Sequence, residues 1–139
     1  MNKLDQAIIF AYKKHEGQLD DIGEPYIIHP MQVMRILELV TKDEDVLCAG
    51  VLHDTIEDTE TTYEEIREVF GVRVADLVNE VTQEGKKDHI GYYFPRLKTK
   101  EGIIIKFADR LSNITRMGGW DQERIDHYLK KSQFWKSSP

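Results

Sequence analysis

The residues best equipped for chemistry lie in one short run, Leu52-His53-Asp54-Thr55-Ile56-Glu57-Asp58-Thr59, where an imidazole and three carboxylates end an apolar stretch. On a continuous helix His53, Glu57, Asp54 and Asp58 fall at about 0°, 40°, 100° and 140°, within one sector. Carboxylates crowded in this way repel one another, and stripping them of water is costly unless a cation joins them. A divalent metal answers both problems. Another acid in a greasy context lies far down the chain, in Lys106-Phe107-Ala108-Asp109-Arg110-Leu111-Ser112-Asn113, with Asp109 and Asn113 one turn apart on one face. The bland alternatives are a solvated helix end for Asp54, Glu57 and Asp58 and a surface pair for Asp109 with Arg110. That pair is weak, because helix neighbours in sequence do not face each other. His29, just before Pro30, would by itself be a capping or packing histidine.

Helices must position these groups. Leu4, Ala7, Ile8 and Ala11 recur at helical spacing, and Lys13-Lys14 suit the negative end of a first helix of about three turns. Residues 17–25, with two glycines, two aspartates and a proline, read as a loop. Pro30 suits the first position of a second helix, which places His29 at its mouth. Thr41 to Asp45 can cap a third helix whose body, Val46 to Leu52, is apolar or small on every side and so belongs in the middle of a bundle. Thr61 with Glu64 has the pattern of a capping box for a helix ending near Gly71, and another runs from about Val72 to Val81. Ile103-Ile104-Ile105 alone could be a strand, but Phe107, Ala108, Leu111, Ile114 and Met117 continue the apolar positions at helical intervals. Gly118-Gly119 ends that helix, and Gln122 to about Trp135 forms a closing amphipathic one. The expectation is an all-α bundle of seven or eight helices in one domain over residues 1–139.

Composition agrees with that class. The 139 residues are 40% apolar and 32% charged, enough for a core and too varied for a low-complexity chain. No apolar stretch approaches the length of a membrane span, and no secretory signal opens the chain, so a cytoplasmic protein without a membrane role is expected. Cys48 is a single cysteine in an apolar run, which excludes an intrachain disulfide and a cysteine-based zinc site. The net charge of −6 is unevenly spread. Residues 1–80 carry 18 acids against seven Lys and Arg, whereas residues 81–139 carry seven acids against 12. This disfavours non-specific nucleic-acid binding and suits a small anionic substrate held between an acidic metal-binding part and a basic part.

With these residues in view, the chain resembles the HD metal-dependent phosphohydrolases, and in particular the hydrolase domain of RelA/SpoT-type proteins and the small alarmone hydrolases. The resemblance rests on His15-x-Gly17-Gln18, Pro25-Tyr26-Ile27-x-His29-Pro30, the run from Leu52 to Thr59, Phe70-Gly71, Val81-Thr82 and Lys106-x-Ala108-Asp109-Arg110-Leu111-x-Asn113, spread over most of residues 7–117. It implies a manganese ion held by His29, His53, Asp54 and Asp109, though zinc or iron suits similar ligands. It also implies that Glu57 and Asp58 orient the attacking water and handle its proton, and that the reaction removes pyrophosphate from the 3′ position of guanosine tetra- or pentaphosphate. No synthetase segment follows, so degradation alone is expected. Asn113 resembles the family's ribose-contacting amide. Lys106 and Arg116, at helical spacing from Asp109, are the phosphate-contact candidates, and Tyr26 reads as loop packing rather than ligand binding.

The resemblance breaks at three places. Where the family usually has an Arg-Lys pair beside the base or phosphates, this chain has Leu19-Asp20-Asp21; Gln83 replaces a common Lys; and Thr115-Arg116 reverses the usual Arg-Thr order. Carboxylates in place of guanidinium repel a polyphosphate. An HD phosphohydrolase for a different nucleotide or phosphoester is therefore the alternative, and a non-catalytic nucleotide sensor is a third reading that the intact Glu57-Asp58 pair opposes. The sequence leaves a homo-oligomer open, and the polarity of residues 83–100 permits a lid.

Overall fold

In a computed structural model, the structure describes residues 1–82, 97–115 and 123. Seven helical segments occur among them: α1 Lys3–Lys14, α2 Ile28–Glu38, α3 Glu44–Leu52, α4 Thr55–Asp58, α5 Tyr63–Phe70, α6 Val72–Val81 and α7 Lys100–Thr115. Among the described residues the β structure is confined to an isolated bridge between Leu19 and Pro25. The class is all-α, as expected.

The bundle is organised around α3. Every residue from Val46 to Leu52 is buried, and the helix packs against α1, α2, α6 and α7. Full burial of each Val or Leu there stabilises the fold by about 1.5–3 kcal/mol relative to exposure. Asp43 starts α3 by accepting the Asp45 N–H at 3.1 Å, and α1 meets the helix through the small buried Ala7 and Ala11. Gly50 allows the approach of α2, since a Cβ at that position would collide with Leu37 Cδ1.

Three local expectations need correction. Helix α2 opens at Ile28, so Pro30 is its third residue, not its first, and His29 lies inside the first turn. Proline costs nothing there, because first-turn N–H groups have no intrahelical acceptor. The run containing His53 and Asp54 is not a continuous helix: α3 ends at Leu52, and α4 is a separate turn. Thr55 explains the break, as its hydroxyl donates to the Leu52 carbonyl at 2.7 Å and so competes with the helix for that oxygen. The cap of α5 is Thr62, whose hydroxyl accepts the Glu65 N–H at 3.1 Å; Thr61 is buried, 2.7 Å from the Thr59 hydroxyl.

The isoleucine triplet is helical. Ile105 is buried while Ile103 is exposed, and Thr99 caps α7 by accepting the Gly102 N–H at 2.9 Å. Glu80 of α6 ties this start down, accepting the Lys98 and Thr99 N–H groups at 2.8 and 2.9 Å. Gly71, at φ +97°, makes the corner between α5 and α6 in a conformation that a side chain would strain. Most of the proposed lid (residues 83–96), Gly118-Gly119 and the closing helix from Gln122 to Trp135 fall outside the described residues, apart from Glu123.

Candidate metal centre and its acidic neighbour

Four side chains from three parts of the bundle converge. His29 comes from the first turn of α2, His53 and Asp54 from the break between α3 and α4, and Asp109 from the middle of α7. One potential ligand atom from each lies within 4.8 Å of all the others. Oδ1 of Asp109 is 2.9 Å from His29 Nε2 and 3.1 Å from His53 Nε2. Oδ2 of Asp54 is 3.0 Å from His53 Nε2 and 3.6 Å from His29 Nε2. His29, His53 and Asp109 are buried.

The donor set fits a divalent ion. Two imidazole nitrogens and two carboxylate oxygens point inward, a mixture that suits manganese, iron or zinc. The His53 tautomer suits this task too. Its Nδ1 lies 2.7 Å from the Gly50 carbonyl oxygen, which can only accept, so Nδ1 keeps its proton and Nε2 is the nitrogen that can exchange a proton for an ion. Gly50 thus admits α2 to the core and, one turn later, orients the imidazole. His29 Nδ1 has its own partner, Ser112 Oγ at 2.9 Å.

The charges are strongly coupled. Burial works against the imidazolium of His53, but Asp54 and Asp109 outweigh it and hold its pKa well above the ordinary value. Burial likewise opposes ionisation of Asp109, yet Lys106, His29 and His53 hold its carboxyl well below the usual range. Asp54 also is held low, chiefly by His53 against the cost of burial. In the metal-free chain the cluster is a network of imidazoles and carboxylates ready to exchange protons for a cation.

A second grouping adjoins the first through Asp54. Ligand atoms of Asp54, Glu57 and Asp58 also lie within 4.8 Å of one another, but Glu57 and Asp58 are exposed. Partial burial and the Asp54 charge push the Asp58 pKa above the ordinary carboxyl value, against a hydrogen bond from Tyr26. A carboxylate that accepts a proton more readily than a free one therefore stands beside the candidate ligands.

Tyr26 corrects the loop-packing expectation. Its hydroxyl donates to Asp54 Oδ2 at 2.6 Å and lies 3.2 Å from Asp58 Oδ2, joining the two groupings. Burial and the neighbouring carboxylates push its pKa upward, so it stays a donor. The loop aims it: Tyr26 N–H donates to the Gln18 carbonyl at 2.8 Å, and the ring packs on the buried His15, whose Nδ1 is 2.9 Å from Gln18 Oε1. Its place beside the His29-Pro30 motif was the available signal.

The substrate-contact candidates divide. Lys106 is buried at the site, its Nζ 3.2 Å from Asp109 Oδ2. Asn113 lies half-buried on α7, one turn beyond Asp109, and Arg116 lies outside the described residues. Asp20 has a structural use, since its Oδ1 accepts the Ile22 and Glu24 N–H groups at 3.0 and 2.9 Å; Asp21 is exposed.

Comparison with known proteins agrees with this geometry. Residues 7–92 match the family model described as HD domain. A guanosine-3′,5′-bis(diphosphate) 3′-pyrophosphohydrolase of Aquifex aeolicus is 42% identical over 138 residues, covering 94% of this chain and 20% of that protein. The chain therefore spans about a fifth of the length of the curated relatives it first matches. The zebrafish (Danio rerio) guanosine-3′,5′-bis(diphosphate) 3′-pyrophosphohydrolase MESH1 is 34% identical, with 90% of this chain and 77% of that protein covered. A solved metazoan SpoT orthologue, described as hydrolysing ppGpp, superposes with a TM-score of 0.76 at 30% identity, covering 96% of this chain and 83% of that one. With the ligand geometry, the family model and a relative of similar size in agreement, the chain belongs to the HD-domain family, among proteins named as ppGpp pyrophosphohydrolases.

Proposed function

We propose that this chain is a metal-dependent phosphohydrolase that cleaves the 3′-diphosphate of guanosine 3′,5′-bis(diphosphate), releasing GDP and pyrophosphate. The carrying observation is the approach of both Nε2 atoms to one oxygen of Asp109, at 2.9 and 3.1 Å, with Asp54 alongside. Relatives of comparable extent named for this activity support the substrate.

His29, His53, Asp54 and Asp109 would hold the ion, which we propose to be Mn2+. When bound, a divalent ion supplies Lewis acidity, lowering the pKa of water and neutralising charge on a phosphoryl oxygen. The chain's own groups supply the rest. Asp58, with its raised pKa, accepts the proton of the attacking water, and Glu57 orients that water from the same turn. Tyr26 holds Asp54 and Asp58 in register through its hydroxyl. Lys106 balances Asp109, and we propose it as a phosphate contact together with Asn113 and Arg116. The exposed Asp21 favours a second reading, hydrolysis of a less highly charged nucleotide or phosphoester.

The test is a nucleotide panel with Mn2+ present, read as pyrophosphate or phosphate release. Pyrophosphate from guanosine tetraphosphate, abolished in Glu57→Gln/Asp58→Asn, supports the first reading; turnover confined to other nucleotides supports the second. Metal-loaded protein that binds nucleotide and turns over none overturns both. A single domain over residues 1–139 and a cytoplasmic setting, which suits a nucleotide substrate, complete the proposal. Among the described residues no helix is long and apolar enough to cross a membrane.

A further inference from the structure

The second imidazole of the centre has no backbone carbonyl at Nδ1. Its partner is the Ser112 hydroxyl, 2.9 Å away, which can either donate or accept. If Ser112 donates, the His29 proton must sit on Nε2, and the nitrogen facing Asp109 loses its lone pair. The hydrogen bonds beyond Ser112 decide the direction. Thr115 Oγ1 donates to the Ser112 backbone carbonyl at 2.7 Å, and a carbonyl can only accept, so the single Thr115 proton is committed. Gln32 Nε2 lies 3.3 Å from Thr115 Oγ1, which is left to accept. This orients the Gln32 amide with Oε1 toward Ser112. The 2.6 Å contact between Ser112 Oγ and Gln32 Oε1 then needs a proton that only Ser112 can supply. With its one proton committed, Ser112 must accept from His29 Nδ1–H, so Nε2, 2.9 Å from Asp109 Oδ1, is the nitrogen that can give its lone pair to an ion.

We infer that Gln32, with Ser112 and Thr115, forms a directional relay that fixes the metal-binding tautomer of His29. Gln32 and Thr115 lie outside the four-residue cluster and act through Ser112, as positioning residues: α2 contributes Gln32 alongside His29, α7 contributes Ser112 and Thr115 beyond Asp109, and the relay ties these two helices together at the site. His53 obtains the same result from one fixed backbone oxygen. His29 depends on three side chains, so its tautomer can be altered by a substitution outside the ligand set.

The inference rests on the metal reading of the cluster, and the experiment separates the two. Mn2+ and Zn2+ affinities are measured by chelator competition on wild type, Gln32→Leu, Gln32→Glu and Thr115→Val, together with thermal unfolding of each metal-free protein. Gln32 is partly exposed and Thr115 exposed, so neither change opens a core cavity. Outer partners of metal-binding histidines commonly affect affinity by about 10–100-fold. Gln32→Leu, which frees the Ser112 proton for His29, is expected to weaken binding by about that factor. Gln32→Glu keeps an acceptor for Ser112 and is expected to restore binding to within about threefold of wild type, while Thr115→Val, which only unfixes the amide, falls between the two. In zinc-loaded wild type, nitrogen NMR is expected to place the His29 proton on Nδ1. Wild type that binds neither ion defeats the metal reading itself. Wild-type binding with equal affinity in Gln32→Leu, or a His29 bound to zinc through Nδ1, defeats the relay alone. A purely structural role would lower the metal-free melting temperature of Gln32→Leu without moving affinity, and that result also overturns it.

Discussion

Two groups of acids share Asp54, and their surroundings assign them different work. In the inner group Asp109 is buried, met by two imidazoles and an ammonium, and held ionised. In the outer group Glu57 and Asp58 are exposed on a single turn, and Asp58 is biased toward taking a proton. In the proposed function the same carboxyl chemistry would retain a cation in one place and move a proton in the other. Burial with compensating charge suits the first to hold an ion; desolvation beside a like charge suits the second to take a proton.

Substitutions at the two groups should separate binding from turnover. The largest effect is expected from Asp109→Asn, which removes the charge both imidazoles approach: Mn2+ binding by calorimetry and pyrophosphate release should both fall below detection. Next, Asp58→Asn should lower kcat by about 10²–10⁴, the usual contribution of a general base, while leaving Mn2+ affinity within a few-fold of wild type. Loss of metal binding in Asp58→Asn would erase the distinction. Tyr26→Phe, which cuts the bridge, should weaken metal binding by about 10–100-fold and lower kcat with it, measured by chelator competition and steady-state kinetics.

Acidity sharpens the contrast further. In the metal-free chain His53 is held protonated well above the ordinary imidazole value, so an entering ion must displace a proton. Affinity should therefore rise with pH by about tenfold per unit for one displaced proton, and level off once pH exceeds the raised value. Without metal the sign reverses. The imidazolium contributes stability that is fully present below the ordinary imidazole value and is lost as pH climbs through the raised one, which unfolding curves across pH will report. The smallest effect belongs to the loop: Asp21→Lys should raise kcat/KM for guanosine tetraphosphate severalfold at low salt, and less as salt screens the added charge.

The helices and the side chains that converge at the candidate centre were legible because both leave strong local signals. A seven-residue apolar stretch ending in His53-Asp54 has few uses besides a central helix that terminates at a site. The triplet at Ile103 could be assigned by the apolar spacing that follows it. Details set by one hydroxyl were not legible. Thr55 takes the Leu52 carbonyl and breaks the helix, Thr62 and not Thr61 caps α5, and Tyr26 reaches Asp54 because a small loop turns it inward. Asp20, besides its charge, holds that loop by accepting two backbone N–H groups. Such contacts depend on where a side chain ends up in space, which spacing along the chain does not fix.

The most direct trial of the account is calorimetric titration of the metal-stripped chain with Mn2+. Convergence of His29, His53, Asp54 and Asp109 predicts one ion per chain, with protons released on binding and binding abolished by Asp109→Asn. No binding by the wild type, or undiminished binding by Asp109→Asn, would contradict it.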